Sequence, residues 1–225
     1  MTEQELPTCN DPQVVLEFLR QKVSQRKLRL LAVACCRGLW QWMTDERSRK
    51  GVDVAERYAD RLASDDELTI ARQGTGTAWT TVWSDWPHIY QAARTAHFAC
   101  CVGVDRFRFV LEDAKNATMN YARSTGGHRD VDKDIVAEIT RQLSLIHCIF
   151  GNPFRDSQFH DSWRTATVLS LAQAIYTEKS FDRLPIVADS LLDAGCTDQA
   201  ILDHCRSAGP HVRGCWVVDL VLGKQ

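Results

Sequence analysis

The residues best suited to chemistry lie in the last stretch of the chain, from Ala194 to Gly223. Thiolate sulfur and imidazole nitrogen are ligands that zinc prefers, usually four of them in a tetrahedron. The stretch therefore predicts a metal site suited to zinc, although its spacing lacks the close C-x2-C pairs of common zinc motifs. The predicted ligands follow the pattern C-x7-H-C-x5-H-x3-C: Cys196, His204, Cys205, His211 and Cys215.

Helical spacing supports this metal hypothesis at the end of the chain. His211 and Cys215 are four residues apart, and a last helix beginning at His211 would place both on one face. Cys196 directly follows a predicted helix C-terminus, from which its side chain could reach back. Cys35 or Cys36 could serve as a distant ligand. A bound metal would contribute its binding free energy to folding.

A catalytic thiol is a second interpretation of the same residues. Cys205 or Cys215 would be the nucleophile, with His211 or His204 as base and Asp219 orienting it. Both cysteines share helical stripes with apolar neighbours, and no turn with backbone donors for an oxyanion accompanies them. The phosphate-binding, dinucleotide-binding and H-E-x-x-H motifs are absent from the sequence. A thiol-dependent enzyme is therefore an alternative hypothesis.

The third interpretation is structural, and it is our leading prediction. Arg206 and Arg213 would close helix ends or pair with Asp203 and Asp219, and Trp216 would fill the core. The histidines would then bind backbone carbonyl groups. If these residues are structural, the sequence contains no recognisable catalytic motif. It then predicts a non-enzymatic interaction or regulatory module that acts on a protein partner.

Apolar residues recur at three- and four-residue steps along most of the chain, whereas alternation with period two is scarce. We predict an all-α fold, an irregular bundle of about nine helices without a regular repeat. The pattern from Leu28 to Trp42 predicts a central, buried helix. A single long helix is expected from about His88 to Lys115. Ser64 begins another helix with a capping box, and Gly74 and Gly76 are expected to interrupt it.

The chain is long enough to bury a sizeable core, and we predict one helical domain over residues 1–225. Residues 124–132 include two glycines and few apolar side chains, as in a linker. A subdivision there would give an N-terminal half, 1–124, and a C-terminal half, 132–225.

Two further groups of side chains are candidates for binding surfaces. Three tryptophans share one helical side and form a candidate interaction surface, with an inward-facing aromatic stripe as the alternative: Trp79, Trp83 and Trp86. Basic residues gather at the entry to the predicted central helix: Arg20, Lys22, Arg26, Lys27 and Arg29. We interpret the three residues at the helix entry itself, Arg26, Lys27 and Arg29, as a solvated face and not as a phosphate site. Nucleic-acid binding through all five residues is a further hypothesis, and a net charge of −2 argues against it.

Composition and cysteine usage indicate the cellular compartment of the protein. Hydrophobic residues make up 44% and charged residues 25%, as in ordinary globular proteins. The polar start has no signal-peptide pattern, and no stretch reaches the ~20 apolar residues of a membrane span. The nine cysteines are odd in number and include two adjacent pairs, which argues against a disulfide framework. We therefore predict a cytoplasmic protein with no membrane partner.

Several segments resemble a group of uncharacterised helical proteins that is abundant in planctomycete bacteria. The most specific is the terminal run HVRGCWVVDLVLGK, and the resemblance covers the chain apart from about Arg72 to Ala137. It implies a planctomycete source and an all-helical module that accompanies signalling or regulatory modules. It implies no established activity and no catalytic residue. The similar segments are Leu28 to Trp40, Val54 to Ser64, Ile149 to Arg155, Ala172 to Cys196 and His211 to Lys224.

Overall fold

The computed structural model describes residues 1–19, 22–82, 86–101, 107–125, 130–155 and 159–224. The predicted all-α class is confirmed, since these ranges contain helices and no strand. They form eleven α-helices, so the prediction of about nine was too low. The helices are α1 (Pro12–Leu19), α2 (Gln25–Gly38), α3 (Glu46–Ala59), α4 (Asp65–Thr81), α5 (Pro87–Cys100), α6 (Phe107–Ser124), α7 (Val131–Phe150), α8 (Ala166–Glu178), α9 (Leu184–Asp193), α10 (Gln199–Arg206) and α11 (Trp216–Leu222).

The chain divides into two compact units, Met1–Leu143 and Ser144–Gln225. The division falls inside α7, C-terminal to the 124–132 segment where the sequence placed a subdivision. Of the described helices, none combines the length and apolar character needed to cross a membrane.

The first unit is built around α2, as its apolar pattern predicted. Residues 28–36 are all buried, because α2 packs against α3, α5 and α6. The helix ends at Gly38, earlier than predicted, and a 3-10 turn follows over Trp40–Trp42. The capping box at Ser64 is confirmed, since Ser64 and Glu67 exchange backbone-to-side-chain hydrogen bonds of 2.9 and 3.2 Å.

The prediction of one helix from about His88 to Lys115 was wrong. The chain leaves helical geometry at Cys101, so α5 ends at Cys100, and α6 begins at Phe107. The two helices pack against each other, so apolar residues recur at helical spacing in both of them.

The prediction that Gly74 and Gly76 interrupt a helix was also wrong. Both lie inside α4. A Cβ atom on Gly76 would lie 3.4 Å from the His97 ring, so the missing side chain gives α5 room to approach. Gly76 therefore marks a close contact between α4 and α5, and it does not mark the end of a helix.

Gly51 on α3 marks a second close contact, and it gives a testable prediction. A Cβ atom there would overlap Thr75 Cγ2 and lie 3.2 Å from Cys100 Sγ. We expect Gly51→Ala to lower the free energy of unfolding by about 1–3 kcal/mol. The matched control is Gly74→Ala, where the nearest atom is 3.9 Å away and the free energy of unfolding should rise by about 0.5–1 kcal/mol.

Urea unfolding of the two alanine variants measures both effects. Adding Thr75→Ser to Gly51→Ala removes the overlapping methyl group and keeps the hydroxyl. The double variant should recover most of the lost stability. If it does not, steric overlap with Thr75 is not the cause.

The second unit has its own apolar core, formed by α8 to α11 with the end of α7. Val168, Ile175, Leu184 and Val217 are among its fully buried side chains. Arg164 donates hydrogen bonds to the Val221 and Leu220 carbonyls, at 2.9 and 3.1 Å. The Leu220 carbonyl also accepts a hydrogen bond of 3.4 Å from the Gly223 amide, and the Arg164 side chain adds further donors that fix the end of that helix.

Candidate metal centre

Four side chains of the second unit converge on one point: Cys148, His204, His211 and Cys215. Their ligand atoms all lie within 4.8 Å of one another. His204 Nε2 lies 3.2 Å from Cys215 Sγ, and His211 Nδ1 lies 3.8 Å from Cys148 Sγ. The group therefore brings two sulfur and two nitrogen ligands together.

The spacing of these atoms is close to that of a tetrahedral zinc site. Zn–S bonds of about 2.3 Å and Zn–N bonds of about 2.0–2.1 Å give ligand-to-ligand distances of roughly 3.3–3.8 Å. The distance of 3.8 Å within the group lies at the upper end of this range, and the distance of 3.2 Å lies just below its lower end. Even a pair at the 4.8 Å limit would need to close by only about 1 Å to reach it. The group is thus compatible with zinc.

Helices position two of the four ligands. Cys148 lies in the last turn of α7, and its side chain is buried. His204 lies in the last turn of α10. That helix begins at a fixed point, because the Asp198 carboxylate accepts hydrogen bonds from the Ala200 and Ile201 amides.

The loop between α10 and α11 positions the other two ligands. The prediction that His211 and Cys215 share a helix was wrong, since α11 begins only at Trp216 and Cys215 is its N-cap residue. Gly209 has a φ of +82°, and a Cβ atom there would lie 2.9 Å from the His211 backbone nitrogen. The glycine lets the chain fold back, so both ligands reach the site from a loop.

A hydrogen bond orients the imidazole of His211. Its Nε2 lies 3.1 Å from the Ser207 carbonyl oxygen, which can only accept, so Nε2 has the proton. Metal-binding histidines commonly donate their second ring N–H to a carbonyl in this way. Nδ1, which faces Cys148, is therefore the nitrogen available to a metal.

The electrostatics of the group favour an anionic sulfur. Burial raises the pKa of Cys215, but hydrogen bonds from Cys148, His204 and His211 outweigh it and hold the pKa well below its usual value. Burial lowers the pKa of His211, whereas its bonds to Cys215 and to the Ser207 carbonyl raise it above the usual value. The thiolate is the form of cysteine that binds metal.

The structure brings together three of the five residues that the sequence predicted as ligands, His204, His211 and Cys215. Cys196 and Cys205 are buried in the apolar core and do not belong to the four-residue group. Burial raises the pKa of both thiols, which suits a packing role.

Sequence reasoning missed the fourth member, Cys148. It precedes His211 by 63 residues and lies within an apolar helix, so no local spacing connects the two. The distant ligands considered from sequence, Cys35 and Cys36, are fully buried in the first unit and lie outside the group. Burial raises the pKa of Cys35 to about 12.

The predicted tryptophan surface is only partly described. Trp79 is half-buried on α4, where its ring contacts Tyr90 and His97 at centroid distances of 5.7 and 6.0 Å. Trp86 precedes α5 and is 58% exposed. Trp83 lies outside the described residues. The two described indoles therefore belong to different elements.

The basic group at the entry to α2 is only partly solvated. The side chains of Arg26 and Arg29 are largely buried, so the interpretation as a solvated face was wrong for these two. Lys22 is exposed and Lys27 is half-buried, while Arg20 lies outside the described residues.

Comparison of the chain with protein-family models, with curated proteins and with solved structures finds no match. The resemblance to planctomycete helical proteins stays a prediction. The chemistry of the metal centre is therefore inferred from its own geometry.

Proposed function

We propose that the protein is a zinc-stabilised helical module in which Cys148, His204, His211 and Cys215 hold one zinc ion. The observation that supports this most strongly is the convergence of the four ligand atoms within 4.8 Å. The zinc would join the end of α7, the end of α10 and the loop before α11. The end of α7 is distant in sequence from the other two elements, so a metal bond between them would stabilise the second unit as a whole.

The composition of the group favours a structural zinc over a catalytic one. Structural sites close the tetrahedron with four protein ligands, whereas catalytic sites keep one position open for water or substrate. Cys148 and Cys215 are only 2% and 0% exposed, so the metal would be enclosed on the sulfur side. Such a site supplies stability and no reaction centre. We therefore propose that the module acts through its surface, on a protein partner.

A thiol-dependent enzyme is supported less well. Cys215 has a lowered pKa and lies 3.2 Å from His204, which is the arrangement of an activated nucleophile. Its complete burial, however, leaves no route by which a substrate could reach the sulfur in this conformation. Metal binding explains the same contacts without requiring the site to open.

Elemental analysis of the purified full chain tests the zinc proposal. We expect about one zinc per chain. Removal with a strong chelator under reducing conditions should lower helicity, and adding zinc back should restore it. A metal-free preparation with unchanged helicity and unchanged thermal stability would refute the proposal.

Thiol alkylation separates the zinc module from the thiol enzyme. In zinc-loaded protein, Cys148 and Cys215 should resist iodoacetamide, and both should react after chelation. Peptide mass spectrometry reads out each cysteine separately. Rapid alkylation of Cys215 alone in zinc-loaded protein would instead support a nucleophile.

A further inference from the structure

The first unit contains a cavity of about 500 Å³ at the start of α2 and the connection from α3 to α4. Three arginines line it, Arg26, Arg29 and Arg61, together with the aromatic ring of Tyr58 and the carboxylate of Asp65. A cavity of this volume is in the range that small-molecule ligands occupy. The charged residues of its lining are three arginines and one aspartate, and this excess of positive charge points to an anion.

Arg29 is a buried cation without a carboxylate partner among the residues the structure describes. It is 8% exposed, its Nη1 donates to the Ala99 carbonyl at 3.1 Å, and its guanidinium lies 4.8 Å from the centre of the Tyr58 ring. Burial lowers the pKa of Arg29, which reflects the cost of keeping this charge away from water. A buried charge is costly unless it is paired. An anion in the cavity would supply the missing partner.

The backbone at Arg61 gives an independent observation. Arg61 follows the C-terminus of α3 with a φ of +61°, in the left-handed region where glycine is the usual residue. An L-residue pays roughly 1–2 kcal/mol for this conformation. Because this strained residue lines the cavity, we infer that its guanidinium side chain is kept there to bind a ligand.

The remaining charges around the cavity are already partnered. Arg26 binds the buried carboxylate of Asp60 through Nε and Nη2, at 3.1 and 3.0 Å. Asp65 accepts a hydrogen bond of 2.7 Å from the Tyr58 hydroxyl. The first turn of α4 is satisfied by its own capping box. Arg29 and Arg61 are therefore the groups best placed to hold an incoming anion.

We propose that this cavity binds a small phosphate monoester through Arg29 and Arg61. Guanidinium groups present planar, paired N–H donors that match phosphate oxygens, and two of them balance the charge of a phosphate dianion. Tyr58 and the neighbouring Ala59 and Ala63 leave space for the uncharged part of the ligand. This site lies in the first unit and does not depend on the metal centre.

Calorimetric titration of the full chain tests the proposal at low ionic strength. The probes are inorganic phosphate, glucose 6-phosphate and succinate. We expect saturable binding of a phosphate probe that weakens as salt is added. Tighter binding of glucose 6-phosphate than of inorganic phosphate would support a phosphate monoester as the ligand. Binding of glucose 6-phosphate that is no tighter would overturn the monoester assignment in favour of free phosphate. Absence of saturable phosphate binding, or equally tight binding of succinate, would overturn the proposal.

Variants connect the binding to the two arginines. Arg29→Gln should weaken phosphate binding by about tenfold or more, as expected for loss of a charged hydrogen-bond donor. Arg61→Gly should weaken it similarly, and the matched control is Lys179→Gly, at a position with a φ of +59° outside the cavity. Both glycine variants relieve backbone strain and should fold at least as stably as the wild type. Unchanged affinity in Arg61→Gly and Arg29→Gln would refute the assignment.

Discussion

Replacing Cys215 with serine is expected to abolish zinc retention and to unfold the unit Ser144–Gln225 at ambient temperature. Structural zinc contributes roughly 10–16 kcal/mol of apparent binding free energy. A domain has a net stability of only about 5–15 kcal/mol, so losing the metal removes most of it. Zinc content, far-UV circular dichroism and thermal unfolding of the variant measure this effect. Cys148→Ser and His204→Ala should behave in the same way.

Cys205→Ser is the matched control for Cys215→Ser. Cys205 is equally buried, lies in the same stretch of sequence and is outside the four-residue group. We expect it to keep its zinc and to lose only about 1–3 kcal/mol, the cost of placing a hydroxyl in an apolar core. The opposite pattern, in which Cys205→Ser releases zinc while Cys148→Ser keeps it, would place the metal on the ligands predicted from sequence.

Arg94→Leu is expected to lower the free energy of unfolding by about 3–5 kcal/mol, because it leaves a buried carboxylate without its partner. Arg94 on α5 donates to Asp113 on α6 through Nε at 2.7 Å and also through Nη2. The Asp113 side chain is fully buried, whereas Arg94 is 30% exposed. Urea unfolding at neutral pH measures the loss.

The pH dependence of this loss identifies its cause. Burial raises the pKa of Asp113, whereas Arg94 lowers it, so removing Arg94 should raise the pKa further. A raised pKa in the folded state means that stability falls as pH rises through that pKa and recovers toward acid. The loss in Arg94→Leu should therefore be smaller at about pH 5 than at about pH 7, changing by at most about 1.4 kcal/mol per pH unit.

Two variants are controls for the Arg94 effect. Arg57→Leu breaks an ion pair with Glu67 in which both side chains are 46% exposed, and it should change stability by less than about 1 kcal/mol at either pH. The double variant Arg94→Leu/Asp113→Leu removes both charges and should recover most of the loss. If the loss persists in the double variant, its cause is instead the loss of the Arg94 guanidinium from above the Tyr90 and Phe98 rings, whose centres lie 5.7 and 5.9 Å away.

The sequence by itself determined the helical class, the buried face of the central helix and the start of α4. Apolar spacing of three and four residues predicted the buried face of α2, because a helix must bury one stripe whatever its partners are. The sequence also predicted the capping box at Ser64 correctly, since both of its hydrogen bonds lie within one helical turn. Apolar spacing did not predict the separation of α5 from α6. Both helices pack into one core, so both carry apolar residues at helical spacing.

Only the tertiary structure decided which chemical groups meet. Three of the four candidate metal ligands lie within one stretch and were predicted, but Cys148 lies 63 residues before His211 and joins them through the packing of the second unit. The cavity at Arg29 has the same origin, because Tyr58 and Arg61 line it from outside α2. The Ala99 carbonyl on α5 accepts a hydrogen bond from Arg29. The periodicity of apolar residues along the sequence predicts which face of each helix is buried. The meeting of distant side chains depends on how the helices pack, which no local spacing encodes.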